Sequence, residues 1–149
     1  MAQPTGSGTE TLHSHLFEDF DTTSQYTILH GVQHHVYTVL NITVHSVAKT
    51  GTYFYLRVLG YDSYRAESGQ GMQFAKQNIS AHDTWVWDNK IVINGGEPTD
   101  FANATAFEAD DQIAVAAQAA STSQKIQFLA DNAADNYSVF ISYIDQDWT

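Results

Sequence analysis

Apolar and polar residues alternate with a period of two in several short stretches of this 149-residue chain. Alternate residues of a strand point to opposite faces of a sheet, so this period predicts half-buried β-strands. The clearest stretch is residues 36–44, which is also rich in β-branched residues. One predicted face of this stretch holds Val36, Thr38, Leu40, Ile42 and Val44. The residues between them, from Tyr37 to Thr43, form the other predicted face.

About eight such segments follow one another at roughly 8–12-residue intervals, which is typical of a β-sandwich or barrel. No long helical period interrupts them. We predict an all-β fold, an antiparallel β-sandwich that is jelly-roll-like. The predicted strands lie near residues 26–29, 36–44, 52–59, 72–79, 84–93, 113–117, 126–129 and 137–143.

Turn-forming residues divide the segments. Lys49, Thr50 and Gly51 separate residues 36–44 from residues 52–59, so we predict a β-hairpin between these two strands. Residues 60–71 are polar and contain three glycines, which predicts a loop. Residues 126–129 are compatible with a short strand or a crossing loop.

The first residues of the chain are polar and differ in composition from the rest. We predict an extended N-terminal arm over residues 1–24 and a sandwich domain over residues 25–149. The arm contains three clustered large apolar side chains, Leu16, Phe17 and Phe20. The free energy gained by burying these three side chains does not offset the conformational entropy lost when so many residues become ordered. We therefore expect the arm to order on docking and its deletion to leave the melting temperature nearly unchanged.

The charge balance excludes several partners. The chain has 6 Lys and Arg residues against 17 Asp and Glu residues, a net charge of −11. Such a surface repels nucleic acid and anionic membranes, so we expect neither as a partner. Cysteine is absent, which excludes disulfides and thiolate chemistry. Residues 1–8 contain no basic segment and no apolar run, so we expect no signal peptide.

Seven histidines suggest a metal site. His13, His15 and Glu18 have a spacing comparable to that of cupin-type metal sites, because alternate residues of a strand share a face. This triplet, however, precedes the predicted strands, so we expect solvated histidines and no metal. His34 and His35 are adjacent and point to opposite faces, which favours edge or interface histidines or a pH-sensitive contact. The acidic run Glu108, Asp110 and Asp111 lacks the spacing of a calcium loop, and we interpret it as a solvated turn.

Trp85 and Trp87 share one face of a predicted strand. Two indoles on a flat sheet face would stack on sugars, whereas buried indoles would fill the core or a subunit interface. We favour the second interpretation. The protein-contact candidates are therefore Leu16, Phe17, Phe20, Trp85 and Trp87.

No nucleophile elbow, phosphate-binding glycine loop or paired-carboxylate motif is present, so we expect no enzyme activity and no cofactor. The order of four segments resembles small virion structural proteins of tailed bacteriophages. These segments are residues 40–44 (LNITV), 79–84 (ISAHDT), 107–117 (FEADDQIAVAA) and 137–142 (YSVFIS). The resemblance spans about residues 34–144.

The resemblance implies a β-sandwich of the virion with no catalytic residues. Its expected role is capsid decoration, or cement, in which it docks on the lattice of the major capsid protein and stabilises it. The alternatives are a neck, collar or tail protein of the virion and a carbohydrate-binding β-sandwich module. We expect a homo-oligomer, made in the host cytoplasm and located in the virion, with the major capsid protein or neighbouring virion proteins as partners.

The predicted fold has a direct spectroscopic test. Far-ultraviolet circular dichroism should show a spectrum dominated by antiparallel sheet, because the alternation leaves no room for long helices. A helix content above about a fifth would contradict the predicted fold class, since soluble domains average about a third.

Overall fold

The computed structural model describes residues 9–21, 23–32, 35–48, 53–62, 67–94 and 124–147. These ranges contain nine β-strands in two antiparallel sheets, which confirms the predicted all-β sandwich. None of the described residues forms a helix that is long and apolar enough to cross a membrane. The strands are β1 (Thr9–Phe20), β2 (Tyr26–His30), β3 (His35–Ala48), β4 (Phe54–Asp62), β5 (Glu67–Gln77), β6 (Thr84–Trp87), β7 (Ile91–Asn94), β8 (Lys125–Ala130) and β9 (Asn136–Asp147).

The strand order is that of a jelly roll. The first sheet has the order β1-β9-β3-β6, with β7 also paired to β3, and the second has the order β2-β8-β4-β5. If β6 and β7 are counted as one interrupted strand, the described ranges contain eight strands, and the chain crosses repeatedly between the two sheets. Such crossing produces the two interlocked Greek keys of a jelly roll.

The predicted hairpin between residues 36–44 and 52–59 is wrong. These segments are β3 and β4, and they lie in different sheets. Instead β4 pairs with β5, and this pairing extends to Asp62 and Glu67. Much of the predicted loop over residues 60–71 is therefore strand. Residues 126–129 belong to β8, which lies inside the second sheet between β2 and β4.

A β-bulge in β3 changes which of its side chains face the core. The pairing with β9 shifts register between Val39 and Asn41. Tyr37 and Val39 are buried before the bulge, and Ile42 and Val44 are buried after it. The extra residue reverses the alternation, as a bulge does. The predicted common face of Val36, Thr38, Leu40, Ile42 and Val44 is therefore split between the two sides of the sheet.

An aromatic cluster joins the two sheets. Phe54 and Phe128 of the second sheet and Tyr137 of the first are fully buried, with ring centroids 5.4–5.6 Å apart. The edge-to-face geometry of the contacts with Tyr137 is a favourable arrangement of aromatic rings. Phe20 extends the cluster, with its ring centroid 5.4 Å from that of Phe128.

The predicted arm is wrong for residues 9–20, because this segment is β1, an outer strand of the first sheet. β1 pairs antiparallel with β9 from Thr9 to Phe20, and Phe20 is only 6% exposed. Side-chain burial alone does not offset the entropy cost of ordering this segment, and the backbone hydrogen bonds to β9 supply the rest. Residues 1–8 lie outside the described residues, as does the predicted strand at residues 113–117.

A pair of substitutions tests whether β1 belongs to the sandwich. Phe20→Ala should lower the free energy of unfolding by about 3–5 kcal/mol, because it removes a buried ring. Leu16→Ala is the control on the same strand, since Leu16 is 60% exposed, and it should cost less than about 1 kcal/mol. Urea denaturation gives both values. Equal, small effects would mean that β1 is a detachable arm after all.

Candidate docking surface and histidine cleft

The predicted contact residues of β1 fall on both sides of the first sheet. Phe17 packs against the core and Phe20 is buried in it, whereas Leu16 points outward. Trp85 and Trp87 of β6 share one face, as predicted. They face inward, because their partners on β3 are the buried residues Val44 and Ile42.

The two indoles fill the margin of the core. The ring of Trp85 contacts Phe54 edge-to-face at 5.5 Å, and the ring of Trp87 contacts Phe74 in the same way at 5.1 Å. Both indoles are half-buried. This placement does not form a flat, exposed platform for sugar stacking on the outside of the sheet.

The outer side of the first sheet carries two apolar rows that cross four strands each. In one row Leu16, Phe140, Thr43 and Val86 are successive cross-strand neighbours. In the other row the successive neighbours are Leu12, Ile144, Thr38 and Val92. The rows are four residues apart along β1 and β9 and five apart along β3, which contains the bulge. Four residues span about 14 Å at the usual rise of an antiparallel strand.

We call the five exposed apolar residues of these rows the apolar face. They are 40–67% exposed, and single exposed side chains would need no explanation, but five on one side of a sheet make that side a candidate docking surface. Ser14 and Ser142 lie between the two rows, with their hydroxyl oxygens 3.1 Å apart. The members of the apolar face are Leu12, Leu16, Val86, Val92 and Phe140.

The two sheets differ in charge. None of the five strands of the first sheet contains a lysine or an arginine. On the second sheet Arg57, Lys76 and Lys125 point away from the core, because their neighbours along each strand are core residues. Lys76 also lies over the ring of Tyr53, with its Nζ 4.4 Å from the ring centroid. Water therefore solvates the outer side of the second sheet better than the apolar face.

A cleft of about 380 Å³ opens at one end of the sandwich between β1, β9 and β3 on one side and β2 on the other. We call it the histidine cleft. Its apolar wall comprises Phe17, Ile28, Leu29 and Val32. Its polar wall comprises His13, His15, His30, Tyr37, Tyr143 and Asp145.

Hydrogen bonds and ring contacts organise the polar wall. His15 Nε2 lies 3.0 Å from the hydroxyl of Tyr143, and the His13 ring stacks on the ring of Tyr143 at 5.3 Å. The hydroxyl of Tyr37 accepts a hydrogen bond from the backbone N–H of Val32. Burial raises the pKa of Tyr37 to about 12, and the negative charge of Asp145 adds to the shift. The same two causes raise the pKa of Tyr143.

Asp145 contacts a histidine on each neighbouring strand. His35 Nδ1 of β3 lies 2.7 Å from one carboxylate oxygen of Asp145, and His13 Nε2 of β1 lies 3.9 Å from the other. His35 and Asp145 are 110 residues apart in sequence. No local motif indicates their contact, which only the pairing of β3 with β9 produces.

The predicted metal-type triplet is only partly assembled. His13 and His15 share the inner side of β1, as the spacing suggests, but Glu18 is exposed in the irregular stretch between Phe17 and Phe20. Across the described ranges, no group of three or more His, Asp or Glu residues is placed to hold a metal ion. His34 and the acidic residues Glu108, Asp110 and Asp111 lie outside these ranges.

No protein-family model matches the chain, and no curated protein matches its sequence. Two solved structures resemble 96% of the chain, each with a TM-score of 0.40. One comes from a study of Bacillus endospore appendages, described as disulfide-linked pili, with 9% identity over 94% of that chain. The other is a chain of the T13 IBDV viral particle, with 7% identity over 36% of its length. Similarity this low does not bear on the function of this chain.

The raised pKa of Tyr37 gives a test of the cleft. Between about pH 7 and pH 11 the Tyr37 phenol should remain mostly protonated in the folded protein, since ordinary phenols titrate near pH 10. Tyr37→Phe should therefore leave the phenolate absorbance that appears over this interval nearly unchanged. In denaturant the same substitution should remove the signal of one of the eight tyrosines. Loss of that signal in the folded protein as well would show that Tyr37 is open to solvent.

Proposed function

We propose that this chain is a non-enzymatic structural protein of a bacteriophage virion and, more narrowly, a capsid decoration (cement) protein. It docks on the lattice of the major capsid protein and stabilises it. The observation that supports this proposal is the apolar face, which exposes five large apolar side chains on a sheet without lysine or arginine. The resemblance of the sequence to tailed-phage virion proteins points to the same class.

The charge pattern favours docking through the first sheet. The chain carries a net charge of −11, which opposes its approach to an acidic surface. On the apolar face this opposition is weakest, because the exposed acids of β1, which are Glu10, Glu18 and Asp19, lie near the two ends of that strand. The partner surface that fits this face is therefore uncharged and apolar at its centre and tolerant of acidic groups at its rim.

The size of the apolar face suits repeated, moderate contacts. Burial of apolar surface contributes about 25 cal/mol per Å², so five partly exposed side chains contribute several kcal/mol before the cost of association is subtracted. A single contact of this strength is modest. A homo-oligomer that presents several copies of the face to a regular lattice gains avidity without any new contact.

The alternative functions require different surfaces. A neck, collar or tail protein would use the same face on a different virion partner. A carbohydrate-binding module requires an exposed aromatic platform, and Trp85 and Trp87 instead pack against Phe54 and Phe74. We therefore propose no sugar ligand. We also propose that neither nucleic acid nor a membrane is a partner.

Charge substitutions on the two sheets test the docking face. Phe140→Glu and Leu16→Glu each place a carboxylate in one apolar row, and each should weaken attachment to undecorated capsids by at least about tenfold. Met72→Glu is the matched control, because Met72 is 63% exposed on the second sheet and the change in net charge is identical. Sedimentation of capsids with each variant measures the attachment.

The same assay separates the alternatives. If the unmodified chain attaches to capsid shells and Met72→Glu attaches equally well, the result supports a decoration protein. Attachment to necks or tails but not to shells would replace the decoration role with a neck or tail role. If Phe140→Glu and Leu16→Glu dock as tightly as the unmodified chain, the apolar face is not the docking surface.

A further inference from the structure

The carboxylate of Asp145 lies between two imidazoles from different strands. Asp145 belongs to β9, the strand between β1 and β3, and each of its two oxygens faces one histidine. The side chain of Asp145 is only 18% exposed, and that of His35 is 23% exposed. The three residues therefore link three adjacent strands at one end of the first sheet, in a partly desolvated place.

The neighbourhood contains other titratable groups but no permanent cation among the described residues that line it. From β1 it receives His13 and His15, whose rings stack with centroids 6.1 Å apart. From β2 it receives His30. Among the described residues, the titratable groups around Asp145 are His13 and His15 from β1, His30 from β2, His35 and Tyr37 from β3, and Tyr143 and Asp147 from β9.

We propose that His13, Asp145 and His35 form a proton-controlled clamp that fastens the edge strand β1 to the sheet. Imidazole is the side chain that gains a proton as the pH falls from about 8 to about 5. With neutral rings the clamp is a hydrogen bond and a loose contact, whereas with protonated rings both contacts are charge-assisted pairs. The part of this inference that concerns docking rests on the proposed function, because β1 carries Leu12 and Leu16 of the apolar face.

The distances between the charged groups indicate that protonation of the imidazoles stabilises the folded chain. The attractive contacts to Asp145 are 2.7 and 3.9 Å long, whereas the repelling rings of His13 and His15 are 6.1 Å apart. The attraction across the two shorter and less exposed distances therefore exceeds the repulsion across the longer one. An imidazolium gains this carboxylate partner only in the folded chain, so protonation of the rings stabilises the folded state, and this stabilisation is lost as the rings lose their protons.

Thermal melting of the purified chain at about pH 8 and about pH 6 tests the clamp without any partner. Asp145→Asn keeps the shape and an acceptor oxygen but removes the charge. Relative to this variant, the unmodified chain should gain about 2–4 °C in melting temperature on acidification. His45→Gln is the control, because His45 contacts Thr84 and not a carboxylate, and it should keep the full gain.

A second measurement uses the unmodified chain alone, so that it does not depend on the folding of a variant. Amide hydrogen exchange of β1, corrected for its intrinsic dependence on pH, should slow on going from about pH 8 to pH 6 relative to that of β5 in the second sheet. Equal pH dependence in the unmodified chain and Asp145→Asn would overturn the clamp. A gain that EDTA abolishes and Zn²⁺ restores would overturn it in favour of a metal site.

The clamp and the proposed function fail in different experiments. If Phe140→Glu docks normally but the melting gain depends on Asp145, the docking role is wrong and the clamp stands. If docking requires the apolar face but the melting gain does not depend on Asp145, the clamp is wrong. If both hold, capsid attachment of the unmodified chain should be tighter at about pH 6 than at pH 8, and Asp145→Asn should lose this difference.

Discussion

The pairing of β9 between β1 and β3 is the interaction on which the other features of this protein depend. Each residue of β9 points either to the core or to the outer side of the sheet. Tyr137, Val139 and Ile141 enter the core, and Phe140 lies between them on the apolar face. Further along the same strand, Asp145 reaches the histidine cleft. One strand thus fixes the positions of core residues, the apolar face and the proposed clamp, and a one-residue slip would displace all three.

The alternation of residues was enough to predict the fold class, because it depends on local geometry alone. It did not predict which strands pair. In a jelly roll, neighbouring segments of the chain often lie in different sheets, so the turn-forming residues Lys49, Thr50 and Gly51 suggested a hairpin although β3 and β4 do not pair. The bulge in β3 was also not predicted, although two consecutive apolar residues, Val39 and Leu40, interrupt the alternation at this point. The register against β9 shows that the extra residue lies there.

The candidate sites were predicted in part. The sequence offered Leu16 as a contact candidate, which the structure leaves exposed, and it placed His13 and His15 on one face. Both positions follow from the alternation of residues within β1. It misplaced the segment that contains them, because a polar composition hides an edge strand whose stability comes from backbone hydrogen bonds. To predict the contact of His35 with Asp145, or the two apolar rows, one must know the order of strands across the sheet. Periodicity along one strand contains no information about that order.

The central claim is that the protein docks through the outer side of the first sheet and leaves the second sheet exposed. Hydroxyl-radical footprinting of the unmodified chain, free and bound to capsids, tests it most directly. We expect binding to protect Leu12, Leu16 and Phe140 from oxidation, while Met72 of β5 and Tyr53 next to β4 remain as reactive as in the free protein. Protection of Met72 and Tyr53 with unchanged reactivity of Leu16 and Phe140 would contradict it.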